Sequence, residues 1–279
     1  MTKTKHQSLS DRYALVNTFL QNYFLPVFVP VKRGRRAKGV IHSYSNKKKT
    51  KSLEVRMFEQ LDAADQDLFL AVLSFCGDGE QLTADELLDA DGNIKGMPSI
   101  KIEVTAYELL KRAGRQVGGK NRRWLSKSLE RLAGTRLKFD GEKSVWSVGL
   151  LNYSYRKDAF GNPDKISIWV NPVAAMVFTG GQQISYIRHS LNDRLALPSE
   201  AAKVLHGYLV GVIRAGGNRV FDIETLVARV YPDSAPSERA ARSRRTEVRK
   251  ALKSIGQLRG WTVEVERERA LVSRAKNSK

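Results

Sequence analysis

A single cysteine in 279 residues, Cys76, excludes an internal disulfide. It sits in the apolar run LFLAVLSFC, where a buried small residue is expected rather than a reactive thiol. The histidines are His6, His42, His189 and His206, too scattered to form a zinc site. No two of them lie close enough to serve the paired-histidine metal motif, with its catalytic tyrosine, of a nicking or rolling-circle enzyme. No apolar run approaches the roughly 20 residues that span a bilayer. The N-terminus MTKTKHQSLS also lacks the apolar region of a secretory signal, so a cytoplasmic protein without a membrane partner is expected. Acid is scarce as well. Asp and Glu total 29 against 48 Lys and Arg, leaving a net charge of +19. Such an excess suits a polyanion, because cations placed near phosphates release condensed counterions; nucleic acid is the first candidate and a membrane surface the second.

What is present is enough apolar residue, 42%, to bury real cores, and a length that suits two domains of ordinary size. The most informative stretch is Ser237 to Gly260. On a helix of about 100° per residue, Ala241, Val248, Leu252 and Ile255 share one side, which faces a core. Arg239, Arg242, Arg245, Thr246, Arg249, Lys250 and Lys253 spread over another, with only Glu238 and Glu247 as acids. A solvated surface helix usually mixes both signs; this basic excess points to nucleic acid. Arg244 lies nearer the apolar side and is expected to snorkel outward or to precede the packed part.

Read in order, YALVNTFLQNYF predicts a short amphipathic helix, and the two prolines of LPVFVPV hold the chain extended. Lys32 to Lys51 is acid-free and basic, either a loose arm or a strand over Gly39 to Tyr44 between basic turns. A helix follows within Leu53 to Phe75, capped by Asp62, with Asp65 and Asp67 in its first turn where the macrodipole favours acids. DADGN resembles the start of a calcium loop but lacks the glutamate at the twelfth position, which is Ile100, and reads as a surface turn. Ile100 to Val104 alternates as a strand, and Thr105 caps the helix AYELLKRAG.

After RQVGG comes KNRRWLSKSLERLAG, with Leu125, Leu129 and Leu132 on one face and Lys120, Arg123, Lys127 and Arg131 on the other. Helix, short glycine-containing turn and helix is a helix-turn-helix pattern. TRLKFDGEKSVWSV then predicts a hairpin, completing a winged helix. The segment GRQVGGKN has the spacing of a phosphate-binding loop. However, Asn121 stands where Ser or Thr holds magnesium, and a helix precedes it where a strand is needed, so no nucleotide cofactor and no self-contained helicase are expected.

Strands LLNYSYRKD and KISIWVN, a short helix PVAAMVF and a strand in TGGQQISYIRH lead to the long helix begun by Ser199 and Glu200. Arg219 to Ile223 is a strand, IETLVARVY a helix, and WTVEVERERALVSRAK a hairpin behind the basic helix. The second half thus repeats the first. Leu125, Leu129 and Leu132 superpose on Val248, Leu252 and Ile255, which brings Arg122 onto Arg245 and Lys127 onto Lys250. The expected fold is α+β with two tandem winged helices. Residues 1–52 would form a basic arm with a short helix and an extended segment, 53–188 the first winged-helix domain, and 189–279 the second, carrying the main recognition helix.

EQLDAADQDLF, GGKNRRWLSKSLERLAG, WVNPVAAMVFTGG and LPSEAAKVLHGYL, in this order and spacing, resemble plasmid replication initiators of the TrfA and IncQ RepC type. The resemblance runs from about residue 53 to 272. It implies a non-enzymatic protein that binds directly repeated origin sequences (iterons), opens neighbouring AT-rich DNA and leads to helicase loading. The implied partners are double-stranded DNA, a replicative helicase and a host initiator, with a homodimer as an inactive state. Recognition helices of this kind enter major grooves. Arg242, Arg245, Thr246 and Arg249 are expected at base edges in the second half, with Arg239, Lys250 and Lys253 on the same basic face. Lys120, Arg122, Arg123 and Lys127 are the equivalents in the first half, with Ser126 between them. The hairpin tips, near Asp140 to Lys143 and at Arg267 to Arg269, with Arg267 and Arg269 as contacts, would lie on backbone or minor groove. A winged-helix transcriptional repressor, including one that acts on its own operon, would use the same folds.

Overall fold

The computed structural model describes residues 13–17, 21–22, 25–31, 36–45, 52–78, 80–81, 99–140, 145–171 and 186–276. The first half begins with a capping box. Asp62 accepts from the Asp65 N–H at 2.8 Å while the Asp65 carboxylate accepts from the Asp62 N–H at 3.1 Å, starting α1 (Ala63–Phe75). After the short β4 (Glu80–Gln81) and β5 (Ile100–Thr105), a second box between Thr105 and Glu108 starts α2 (Ala106–Arg112). Gly114, at φ 71°, lets the chain turn back, and any Cβ there would lie 2.4 Å from the Leu195 side chain. α3 (Gly119–Ala133) follows, then β6 (Arg136–Asp140), β7 (Val145–Gly149), β8 (Leu151–Lys157) and β9 (Pro163–Val170). Leu68, Leu109, Leu125, Leu129, Leu132 and Ile168 are among the fully buried residues at the centre of this half.

β6 and β7 pair as the expected hairpin, but they are not the wing. β3 (Ser52–Glu59) buries Leu53, Val55 and Met57 on one face and offers an edge to β6, with Val55 opposite Leu137. The hairpin therefore extends the sheet β2-β3-β6-β7, in which β2 (Lys38–Ser45) is the strand reading of the basic N-terminal stretch. β5 pairs instead with β9, and β9 with β8, so the hairpin β8–β9 is the wing of the first half. The DGEK turn after Asp140, the calcium-loop-like DADGN and the helix expected at PVAAMVF lie outside the described residues.

The second half repeats this plan without an insertion. α5 (Glu200–Val212) is started by Ser199, whose hydroxyl accepts from the Ala202 N–H at 3.1 Å. β11 (Asn218–Asp222), α6 (Ile223–Val230), α7 (Glu238–Ile255), β12 (Trp261–Glu266) and β13 (Arg269–Arg274) follow. The sheet order β11-β13-β12 matches β5-β9-β8: the strand between the first two helices pairs with the last strand of the hairpin. Leu205, Leu209, Ile223, Leu226, Val248, Leu252 and Ile255 fill a separate core.

The N-terminal helix expected in YALVNTFLQNYF is corrected over Tyr13–Asn17, which form strand β1 antiparallel to β10 (Tyr186–Ser190). Ala14 and Val16 are fully buried while Tyr13 is exposed, a period of two that suits a partner strand. The halves also meet through α4 (Leu191–Ala196). Its Arg194, 1% exposed, donates to Asp67 at 2.5 Å, to Gln66 at 2.6 Å and to the Lys203 carbonyl at 2.8 Å. Lys203 reaches the other Asp67 oxygen at 2.6 Å. Among the described residues no helix is long and apolar enough to cross a membrane.

Beside this junction lie two buried imidazoles. His189 meets the Gln21 side-chain oxygen at 2.7 Å, and its pKa is pushed down to about 3 by burial, then by the charges of Arg194 and Arg274. His206, against Trp261, has no hydrogen-bond partner for either ring nitrogen among the described residues and is lowered well below the ordinary value, again chiefly by burial. The unfolded chain takes up these protons near pH 6.5 and the folded chain does not. The stability tied to neutral histidine is therefore complete above that pH and is lost as pH falls below it, by about 1.4 kcal/mol per unit and per histidine. Denaturant unfolding between pH 7 and 5 is expected to show a slope smaller by about that amount in His206→Leu than in the parent. Equal slopes would contradict a neutral, buried His206.

Candidate nucleic-acid interface

α7 is started by Ser237, whose hydroxyl accepts from the Ala240 N–H at 3.2 Å. It buries Val248, Ala251, Leu252 and Ile255. That fixes its rotation and leaves Arg239, Arg242, Thr246, Lys250 and Lys253 exposed on the far side. Arg245 and Arg249 sit on its flank and are partly covered. Arg245 pairs with Glu224 of α6 and, at 3.5 Å, with Glu238; Arg249 donates to Glu268 at 3.0 Å and to the Arg267 carbonyl at 2.5 Å. Arg242 meets Glu238 at 3.3 Å, one turn away. Arg244 lies over the Tyr231 ring at 5.0 Å and pairs with Asp233 at 2.7 Å, so it anchors the turn before the helix rather than facing outward.

α3 buries Leu125, Ser128, Leu129 and Leu132, the same pattern as α7 when Leu125 is laid on Val248. Lys120, Arg123 and Lys127 are exposed. Arg122 is held by Asp158 at 2.8 Å, and the Ser126 hydroxyl is 3.2 Å from that of Tyr155. In this register Gln116, Gly119 and Glu130 stand where α7 has Arg239, Arg242 and Lys253, so α7 carries the denser positive face. Arg131 does not share the basic face to which its sequence position assigns it. It is 7% exposed and donates to Asp65 at 3.0 Å and 2.7 Å, because α1 packs over that side of α3 and its buried carboxylate needs a cation. Arg115, in the RQVGG link, stacks on Trp124 at 3.6 Å beside the start of α3.

Each recognition helix is tied to its own wing. Arg249 reaches the β12–β13 turn, and Arg122 the β8–β9 turn. In the second wing Arg267 has φ 45°, a left-handed conformation unusual for a residue other than glycine, and Arg269 pairs with Asp222 at 3.5 Å. In the first, Asp158 organises the turn and Phe160 projects from it, 88% exposed. The tip expected between Asp140 and Lys143 falls on the other hairpin, mostly outside the described residues.

Two helix-strand-helix-helix-hairpin units, each with a basic helix against its wing, define a tandem winged-helix protein. The chain belongs to the replication protein C (RepC) family, whose model matches residues 23–274. It is therefore a replication protein. No curated protein matches it. Among solved structures it is similar to domains 2 and 3 of RctB, in one crystal structure with a TM-score of 0.57 at 10% identity, covering 95% of this chain and all (100%) of that one. A second RctB structure gives 0.55 at 11% identity, covering 92% and 97%. The Pi initiator protein in complex with iteron DNA gives 0.50 at 12% identity, covering 79% of this chain and 93% of that one. At these identities the likeness shows the shared fold.

The Arg267 backbone supplies a two-sided test. Left-handed geometry costs a non-glycine residue about 1 kcal/mol, so Arg267→Gly is expected to raise stability by about that amount. If the side chain holds a phosphate, the same variant binds duplex DNA more weakly, with a log-log salt slope smaller by about 1. An unchanged slope would remove Arg267 from the contact set.

Proposed function

We propose that this initiator binds directly repeated origin sequences (iterons) in double-stranded DNA, with α3 and α7 in successive major grooves, and that binding opens the adjoining AT-rich DNA for helicase loading. Residues 53–188 and 189–279 act as the two reading domains, behind the N-terminal segment 1–52. One observation carries this reading: two helices buried in the same register, each turning basic residues outward beside a wing. The iteron DNA in the structure of the similar Pi initiator supports it. Two modules in successive grooves cover about 20 base pairs.

Arg242, Arg245, Thr246 and Arg249 are assigned to base edges, and Arg239, Lys250 and Lys253 to phosphates. Lys120, Arg122, Arg123, Ser126 and Lys127 serve the first half-site, and Arg267 and Arg269 the backbone at the second wing. The ion pairs of Arg245 and Arg249 do not oppose this role. Exposed pairs are worth about 0–1 kcal/mol, less than a bidentate guanine contact at about 1–3 kcal/mol, so they hold the guanidinium groups ready and yield to the base. The proposed protein partners are a replicative helicase and a host initiator, with a homodimer as the inactive store.

Arg245→Ala and Arg249→Ala are expected to cost about 1–3 kcal/mol per lost base contact and to relax discrimination. Equal weakening on repeat-bearing and random DNA would leave those residues as phosphate contacts. Footprinting is expected to protect repeated sites, with permanganate-reactive thymines beside them. A parent chain with no preference for any repeated sequence over random DNA sinks the initiator reading for this site.

A further inference from the structure

We propose that Phe160 is an apolar wedge, which the first wing presses into the minor groove beside the α3 site, unstacking a base step and bending the duplex. This rests on the DNA-binding reading above and goes beyond it, because it assigns to one side chain the deformation of the DNA.

At 88%, Phe160 is the most exposed large hydrophobic residue among those described. The turn that carries it is firmly built. The Asp158 carboxylate accepts from the Phe160 and Asn162 N–H groups at 2.9 Å and 2.8 Å, the Asp158 N–H donates to the Asn162 carbonyl at 2.7 Å, and the Gly161 N–H to the Asp158 carbonyl at 3.0 Å. Nothing in this construction requires an aromatic side chain at 160. The left-handed position belongs to Gly161, at φ 78°, and Phe160 contributes only its backbone N–H. A phenyl ring held out in water on a turn built without it is free to bury its apolar surface against a partner.

Its surroundings name that partner. The second Asp158 oxygen accepts from Arg122 at 2.8 Å, which ties the turn to α3. Phe160 lines a cleft with Gly119, Arg122, Arg123, Asp158 and Asn162, and Lys157 is exposed at the end of β8. An apolar tip among cations fits duplex DNA, whose phosphates meet the cations while the ring enters between base steps. Such entry is easiest at flexible pyrimidine–purine steps such as TA. The second wing ends instead in Arg267 and Glu268, so the wedge belongs to the first half alone.

The test uses the full chain and a duplex bearing one origin repeat, labelled at its ends with a donor and an acceptor dye so that energy transfer reads the bend. Phe160→Ala is expected to bind about tenfold more weakly and to bend the duplex less. Its salt slope and melting temperature stay unchanged, since no phosphate contact and no buried surface is lost. Phe160→Leu keeps most of both effects. Equal affinity and bend in Phe160→Ala overturn the proposal. So does weaker binding with an unchanged bend, which makes Phe160 a plain surface contact. A defect in helicase recruitment with DNA binding and bending intact also overturns it, in favour of a protein partner. The same comparison on an AT-rich duplex without repeats scores the wedge even if the repeats are not preferred, so its failure is distinct from that of the origin-binding reading.

Discussion

Two carboxylates on α1, Asp65 and Asp67, set where α3 and the second half stand. Residues two apart on a helix point to nearly opposite sides. Asp65, fully buried, faces α3 and accepts from Arg131, from the Ser128 hydroxyl at 2.5 Å and from Arg36 at 3.0 Å, besides closing the capping box. Burial alone would raise its pKa; the hydrogen bonds and charges of Arg131, Ser128 and Arg36 outweigh it and lower the carboxyl below its ordinary value. Asp67 faces the other way, to Arg194 and Lys203 of the second half. Buried pairs of this kind gain little net stability over apolar substitutes, but losing one partner costs about 3–5 kcal/mol. What they supply is position: α3 on one side of α1, the second domain on the other.

The two halves solve the same problem with different chemistry. α3 is held in rotation by a buried cation, which removes Arg131 from the surface and leaves Arg123 and Lys127 outward. In α7 the position matching Arg131 is Ser254, and the helix is fixed by its apolar stripe and by Arg244 against Tyr231 and Asp233 near its start. The contrast in surface charge between the two helices lies elsewhere along them, where α3 and the residues before it have Gln116, Gly119 and Glu130 in place of Arg239, Arg242 and Lys253 of α7.

Much of this was legible in the sequence because it is local. Caps at Asp62, Thr105 and Ser199 and the spacing of Val248, Leu252 and Ile255 report on their own segments, and the second winged helix is built almost wholly from such signals. The parts that were not legible depend on distant partners. Arg131 looks like its basic neighbours, and only Asp65, 66 residues away, draws it inward. Tyr13–Asn17 is short enough for its apolar residues to fit either period, and the choice is made by β10. Two hairpins follow α3, both alternating. Which of them becomes the wing depends on β3 taking the first, which leaves β9 to β5.

On the proposed reading the wings carry the difference between the halves to the DNA. Arg249 and Glu268 leave 35% and 70% of their side chains exposed, a pair that solvent screens and that a phosphate or base edge can exchange at small cost. Arg122 and Asp158 leave 24% and 17%, so that pair keeps its geometry more firmly. A clamp that yields suits a wing that contributes charge, and a clamp that stays suits one that transmits force through an apolar tip. On the proposed reading, α7 and its wing supply most of the counterion release and base readout, while α3 and its wing supply the deformation. That division places the helix with the most cations and the hydrophobic tip in different domains, and the Asp67–Arg194–Lys203 junction keeps them at a fixed separation along one duplex.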